Sequence, residues 1–382
     1  MINLVTGLKS LQMLGVSSIR DTISSKHHSR DFKYARAEYM RVRVMLLGLA
    51  FAVLTPFWAF MDAMILPQWV SNFLPVRLSM FCGLLLCAGL AYRGQDKISL
   101  IYALSGLVFI LPAGFYGYML WIAPESVGYI VEAYGFIPFL LVATLSVFPF
   151  TLIESSLVGL ALLALQFYAS YQKGLWLSPQ SLQDAWLLAA LLVVSLTANY
   201  FHLGLLQRLY RQATHDPLTG LLNRGALNAQ AMQLVRAPRP MGIHILMIDL
   251  DHFKQINDTH GHSVGDSVLA TAGVLLRSVC QPDCLVARYG GEEFVVLILG
   301  RTDQKAWELA QLLRNNLAEL TFLNHDRQHF SVTASMGLTA HDVKGSLADS
   351  LRRADALLYQ AKRQGRDRVS SDVVILPEQV AA

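Results

Sequence analysis

The chain has 382 residues, room for two or three domains, and 54% of them are hydrophobic while only 15% are charged. An ordinary soluble domain carries about 25% charged residues, and a net charge of +4 is too small for a nucleic-acid footprint, so the chain is neither an average soluble protein nor a nucleic-acid binder. Four cysteines are present; Cys280 and Cys284 have no second pair to complete a zinc site.

Charge is placed unevenly. Residues 45–200 hold ten Asp, Glu, Lys or Arg, and residues 201–382 hold thirty-seven. An apolar half therefore precedes a normally charged half. In the apolar half, runs of about 20 residues, the length that crosses a bilayer, predict six spans: Val44–Leu66, Leu74–Tyr92, Ile98–Ile122, Tyr129–Phe148, Thr151–Tyr171 and Ala185–Leu206. The weakest boundary is Phe148-Pro149-Phe150-Thr151, where a five-span or broken-helix reading stays open. Residues 1–43 carry eight Lys or Arg, the second loop carries Arg93 and Lys97, and Arg208 and Arg211 follow the last span. The alternate loops carry none or only Lys173. Basic residues stay cytoplasmic, so both termini are expected on the cytoplasmic side of the membrane. Arg77 falls on the outer side and is expected to snorkel to the interface. Asp62, Glu132 and Glu154 fall near span ends, within reach of headgroups and water. Leu4, Leu8, Leu11 and Leu14 recur at helical spacing, either an interfacial stripe or part of a tail.

Ala198 to His215, ANYFHLGLLQRLYRQATH, carries the last span into the charged half without a Gly/Ser linker. A continuous helix is expected until Asp216-Pro217 restarts the backbone. The expected divisions are 1–43, 44–206, a connector 207–215, a domain 216–372 and a tail 373–382.

Three features of the charged half point to phosphate chemistry. Met241–Leu250 is a β-type run ending in Asp249-Leu250-Asp251, and carboxylates at a strand end commonly hold Mg²⁺ against phosphates. The helix-like stretch His252–Asp258 follows, its first N–H groups open to an anion. Leu285–Arg288 and Phe294–Leu299 flank Tyr289-Gly290-Gly291-Glu292-Glu293, a hairpin with two carboxylates on its tip. If that hairpin lies beside the first strand, Asp249 and Glu292 can share a metal. Finally, Lys362 and Arg366 sit at i and i+4, one face of a helix, able to grip a polyphosphate. Each feature alone is commonplace: a hairpin tip is usually solvated, a Lys/Arg pair usually a surface.

Their order and spelling resemble the GGDEF family of diguanylate cyclases from Asp216 to about Val369. The resemblance rests on DPLTGLLNR at Asp216–Arg224, IDLDHFKQIND at Ile248–Asp258 with Gly261-His262 and Gly265-Asp266, and the GGEEF spelling at Gly290–Phe294. Ser335-Met336-Gly337 and Ala361-Lys362 with Gly365-Arg366 complete it. It implies an α/β (α+β) domain with a mostly antiparallel central sheet flanked by helices, similar to the nucleotidyl cyclase and polymerase palm, attached to an α-helical membrane bundle. It implies Mg²⁺, with Mn²⁺ able to substitute, held by Asp249, Glu292 and the Leu250 carbonyl. Asn257 and Asp266 would read guanine. The His252 and Phe253 N–H groups with Lys254, and Lys362 with Arg366, would hold phosphates. Glu292 or Glu293 would assist the attacking hydroxyl. The implied product is cyclic di-GMP, made from two GTP by a homodimer, with an unknown sensory ligand or partner protein at the membrane half and no nucleic acid. One departure stands out: where many relatives carry an RxxD product-inhibition site, this chain has Gln281 and Cys284 at the two key positions. No tight product binding is expected there. The competing readings are a silent GTP-binding receptor or scaffold on the same fold, and a transporter with a regulatory tail.

Overall fold

The computed structural model describes residues 19–95, 97–122, 127–174, 176–236, 242–281, 283–323, 328–342 and 345–374. They form two compact units that divide between Tyr210 and Arg211.

The first unit is helical: α1 (Ile19–Ile23), α2 (Arg30–Ile65), α3 (Val70–Arg93), α4 (Ile98–Ile122), α5 (Val127–Tyr134), α6 (Ile137–Leu145), α7 (Leu152–Gln172) and α8 (Pro179–Thr214). Caps fix their starts. Ser29 accepts from the Phe32 N–H at the head of α2, and Thr151 with Glu154 forms a capping box at the head of α7. These helices bury a narrow stripe and leave large apolar residues such as Val53, Leu86 and Val193 exposed. Contiguous exposed apolar surface of this kind marks contact with lipid or a partner. Seven helices among the described residues are long and apolar enough to cross a membrane. Six of these stretches lie in this unit, with α5 and α6 together making one. The seventh, His262–Cys280, lies in the second unit, where Val268, Leu269, Ala272 and Leu276 are packed into a core with the sheet. Its apolarity is spent on that core.

Helices lie over the six expected stretches, with four corrections. The helix over the first stretch begins at Arg30, not Val44, so residues 30–43 of the basic segment are continuous with it. The fourth span is broken between Tyr134 and Ile137, as well as ending before the Phe148–Thr151 turn. A side chain at Gly135 would collide with the Val131 carbonyl, so the break is built around glycine. Arg77 does not snorkel: it is 3% exposed, with Nε donating to Asp62 Oδ2 at 2.7 Å. Asp62 is likewise buried, and Glu154 pairs with Arg36, which also donates to the Pro149 carbonyl at 2.8 Å. Glu132 is exposed. A single-residue reading prices each charge against water and cannot see a partner on another helix. The Leu4–Leu14 stripe lies outside the described residues.

The second unit is built on a six-stranded sheet of order β1-β3-β4-β2-β7-β8, with β1 (Leu222–Asn223), β2 (Ile243–Leu250), β3 (Cys284–Arg288), β4 (Glu293–Leu299), β7 (Ala334–Ala340) and β8 (Val369–Ser371). The three central pairings are antiparallel and the two edge pairings parallel. A separate hairpin pairs β5 (Thr321–Leu323) with β6 (His329–Ser331). The strand β2 is buried along its whole length. Its period-2 alternation sends Leu246, Ile248 and Leu250 into one core, with α11 (His262–Cys280) and α12 (Asp303–Ala318). Ile245 and Met247 enter the opposite core, with α9 (Arg224–Arg236) and α13 (Leu347–Arg363). Helix α13 packs close to β7 because Gly337 has no side chain: a Cβ there would strike the Ala354 carbonyl and the Leu358 amide of the helix backbone.

Candidate active site

Asp249 continues the face of Ile245 and Met247, and so points toward α13. It is 5% exposed, and Lys362 Nζ from that helix lies 2.8 Å from its Oδ2. In register, Asp249 stands opposite Glu293 on β4 and Ser335 on β7. Burial pushes its carboxyl above the ordinary aspartate range; the nearby Glu292 and Glu293 add to this, and Lys362 opposes it. A deprotonated Asp249 therefore needs a cation at its side.

The hairpin tip delivers the other carboxylates. The Tyr289 N–H donates to the Glu293 carbonyl at 2.8 Å, and the Leu250 N–H reaches the Glu292 carbonyl at 3.4 Å. Asp249, Leu250 and Glu292 therefore meet where β2 ends. A Cβ at Gly290 would take the place of the Glu293 carboxylate, so glycine leaves that side chain room to fold back over the tip. Arg288 anchors the tip: Nη2 and Nε donate to the Gly291 carbonyl at 2.8 and 3.0 Å, while Nη1 donates to both Asp216 oxygens at 3.2 Å. Among the described residues no three His, Cys, Asp or Glu side chains group to hold an ion by themselves. Two carboxylates and a carbonyl still fit Mg²⁺, which takes one or two protein carboxylates and completes its shell with phosphate and water.

Beyond β2 the chain reverses through His252, which adopts left-handed φ/ψ of 57° and 25°, and enters α10 (Phe253–His260). The Phe253 side chain is buried in the core, while Lys254 is exposed. The first N–H groups of a helix have no partner within it, so the start of α10 offers donors beside the carboxylates. Gly261, with φ +83°, turns α10 into α11. The Asn257 side-chain oxygen then lies where a Cβ on Gly265 would sit. Asn257 thereby packs against Gly265, the residue before the exposed Asp266.

Lys362 and Arg366 do not share a helix face as expected. Helix α13 ends at Arg363, Gly365 takes φ +114°, and Arg366 and Asp367 follow in the left-handed region at φ 64° and 43°. Glycine just past a helix end favours this reversal. Lys362 remains on the last turn, facing Asp249; Arg366 stands exposed on the turn beyond it.

Two residues take roles that the sequence reading did not give them: Asp251, read there only as a strand-end carboxylate, and Arg288. Asp251, 4% exposed, accepts from Ser335 Oγ at 2.6 Å, Thr333 Oγ1 at 2.8 Å and the Asp367 N–H at 3.1 Å. It ties the Arg366 turn to β7. Arg288 is the other; its position directly before the tip is the only local signal. The Gln281–Cys284 segment also differs from a polar ligand site. Cys284 is 7% exposed and Cys280 wholly buried, both free thiols. A hydrogen bond to Cys284 and burial push the Cys280 thiol up. Asp283 pairs with Arg301 at 3.6 Å, and Pro282 lies outside the described residues.

The second unit is thus an α/β domain with an acidic site at the carboxyl end of its central strand, ringed by donors for an anion. Residues 213–368 match the family described as Diguanylate cyclase, GGDEF domain, and this part of the chain is a GGDEF domain. The chain is 34% identical over 166 residues to a diguanylate cyclase of Vibrio cholerae, VdcA, covering 43% of this chain and 48% of the relative. It is 41% identical over 162 residues to a diguanylate cyclase of Pseudomonas aeruginosa, DgcP, covering 42% and 24%. The crystal structure of the coiled coil and GGDEF domain of DgcB from Caulobacter crescentus in complex with c-di-GMP matches with 29% identity, 48% and 98% coverage and a TM-score of 0.45. The chain spans less than half the length of the curated relatives named here.

Proposed function

We propose that the protein is a membrane-embedded diguanylate cyclase that condenses two GTP into cyclic di-GMP and two pyrophosphates. The observation that carries this reading is the meeting of Asp249, the Leu250 backbone and the Glu292–Glu293 tip at the end of β2, with Lys362 alongside.

Asn257 and Asp266 pair with the guanine edge. An amide and a carboxylate together satisfy its O6 acceptor and its N1 and N2 donors, and leave adenine unmatched. The His252 and Phe253 N–H groups with Lys254 hold inner phosphates, and Lys362 and Arg366 hold the terminal ones. Asp249, Glu292 and the Leu250 carbonyl would hold Mg²⁺, or Mn²⁺ in its place, which offsets charge on the phosphate oxygens. The ribose 3′-oxygen of one GTP forms a bond to the α-phosphorus of the other, and the bond from that phosphorus to the β-phosphate oxygen breaks. Glu292, or Glu293 beside it, takes the hydroxyl proton. Pyrophosphate leaves, and the step repeats in the other direction to close the ring. Each domain binds one GTP, so two must face each other and the working unit is a homodimer. The helical unit spans a bacterial inner membrane with both termini cytoplasmic, and controls how two catalytic domains meet in response to a sensory ligand or partner protein.

The test is turnover of GTP with Mg²⁺ by the detergent-purified chain, beside Glu292→Gln and Asp249→Asn. Cyclic di-GMP formed by the wild type and lost by about a hundredfold or more in both variants supports the enzyme. A dimeric wild type that binds GTP and forms none would make the protein a nucleotide receptor instead.

A further inference from the structure

We infer that the helical unit holds a binding site for a lipophilic molecule bearing a neutral oxygen acceptor, such as a quinone carbonyl. Three observations converge on one place. The first is a cavity of about 70 Å³ walled by α2, α3, α4, α5 and α6. A water needs about 10–15 Å³ on this measure, so the cavity admits a ring or a short length of chain. The second is the broken fourth span: Tyr134, Phe136 and Ile137, which bracket the break, all line the cavity. Interrupted backbone at membrane depth is tolerated where it lines a cavity or is covered by protein, and discontinuous spans commonly build substrate sites. The third is an ion pair inside the apolar bundle. Arg77 lines the cavity, and Asp62 and Tyr134 hold its Nε and Nη2 atoms. Its Nη1 group has no bond among the described residues.

The chemistry of the occupant follows from these walls. Trp58 stacks on Phe136 at 5.1 Å and packs against Tyr134 at 5.4 Å, and the Arg77 guanidinium lies 4.3 Å from the centre of the Phe115 ring. Flat aromatic walls suit a flat ring. The positive charge of Arg77 is already matched by Asp62, so a second carboxylate would bring an unpaired charge into an apolar site, at high cost. A neutral carbonyl or hydroxyl oxygen accepts from Nη1 without that cost. Leu54 and Leu140 line the cavity and are 46% and 38% exposed on the outer face of the bundle. In a spanning unit that face meets lipid, so the ligand enters sideways from the bilayer. This inference uses the helical unit alone and stands apart from the cyclase reading.

The test uses the full chain in phosphatidylcholine nanodiscs, with decylubiquinone as probe and quenching of tryptophan emission as readout. The wild type should show a saturable phase above bulk partition, and Trp58→Phe should remove that phase. The double variant Leu54→Phe/Leu140→Phe, which narrows the mouth at two exposed positions, should weaken binding by about tenfold or more. Arg77→Lys keeps the charge but removes Nη1, and should abolish the advantage of decylubiquinone over decane as a competitor. Quenching that follows partition alone would overturn the site. Unchanged binding in the double variant would overturn its location. Decanoate competing as well as decylubiquinone would overturn the neutral-oxygen assignment.

Discussion

Replacing Lys362 with Met tests the electrostatics of the site most directly. The Lys362–Asp249 pair joins a carboxylate whose side chain is 7% exposed to an ammonium whose side chain is 34% exposed. Removing one member of a fully buried pair costs about 3–5 kcal/mol, and an exposed pair contributes about 0–1 kcal/mol. With one end a third in water, the loss should be about 1–3 kcal/mol. Asp249 would then face Glu292 and Glu293 with no cation opposing them. Two opposite effects follow. Without nucleotide, Mg²⁺ no longer competes with an ammonium for Asp249, so its affinity should rise by about tenfold if about 1.4 kcal/mol of the pair energy is released. With nucleotide, a phosphate contact is gone, so KM for GTP should rise. Urea unfolding of residues 211–382, reported by Trp307, gives the stability; calorimetric titration with Mg²⁺ alone gives the metal affinity. Unchanged stability together with unchanged Mg²⁺ affinity would show that the pair contributes nothing and refute the reasoning.

Gly265→Ala should displace the Asn257 amide and raise KM for GTP by about tenfold or more while ATP remains a non-substrate; initial rates over a GTP series decide it, and an unchanged KM would remove Asn257 from the guanine site. Burial raises the Asp216 carboxyl, but the Thr219 amide and hydroxyl and the Arg288 guanidinium more than reverse this and leave it below the ordinary aspartate value. Its stabilisation is therefore present above the unfolded pKa of about 3.9 and lost as pH falls through the lower folded value. Asp216→Asn should cost about 1–2 kcal/mol near neutrality, and the gap to wild type should close in acid; a gap independent of pH in urea titrations counts against the assignment. Added cyclic di-GMP should slow turnover only by competing with GTP, because the Gln281–Cys284 segment offers a buried thiol where a carboxylate is needed; non-competitive inhibition that mutation of this segment abolishes would contradict this.

What was legible in the sequence was local. The apolar run 241–250 holds β2 at 243–250, and the glycine pair between two β-type runs became the tip, because strand period and turn chemistry act over a few residues. The pairing of β2 with β4 sets Asp249 opposite Glu293, one residue past Glu292. Long-range pairing was not legible. Asp251 meets Ser335 across 84 positions and Asp367 across 116, and neither partner carries a local mark of the other. Arg77 read alone is an interfacial residue; only with Asp62 on the neighbouring helix is it a buried ion pair. The i, i+4 spacing of Lys362 and Arg366 misled because Gly365 stands between them, and a glycine near a helix end is a stop signal that outranks spacing.

The same long-range pairing bears on how the helical unit can act. Helix α8 carries Ser195, Asn199 and Gln207 on one buried stripe, four and eight residues apart. Ser195 donates to the Val142 carbonyl at 2.8 Å, Asn199 to Ser155 at 2.7 Å, and Gln207 meets His28 at 3.4 Å. Turning the helix by one residue, about 100°, would break all three contacts together and bury their polar ends without partners, at about 1–3 kcal/mol each. Small continuous rotation is therefore costly, and α8 has discrete registers set by its polar stripe. That helix runs unbroken to Thr214, two residues before the Asp216 that Arg288 ties to the Gly291 carbonyl.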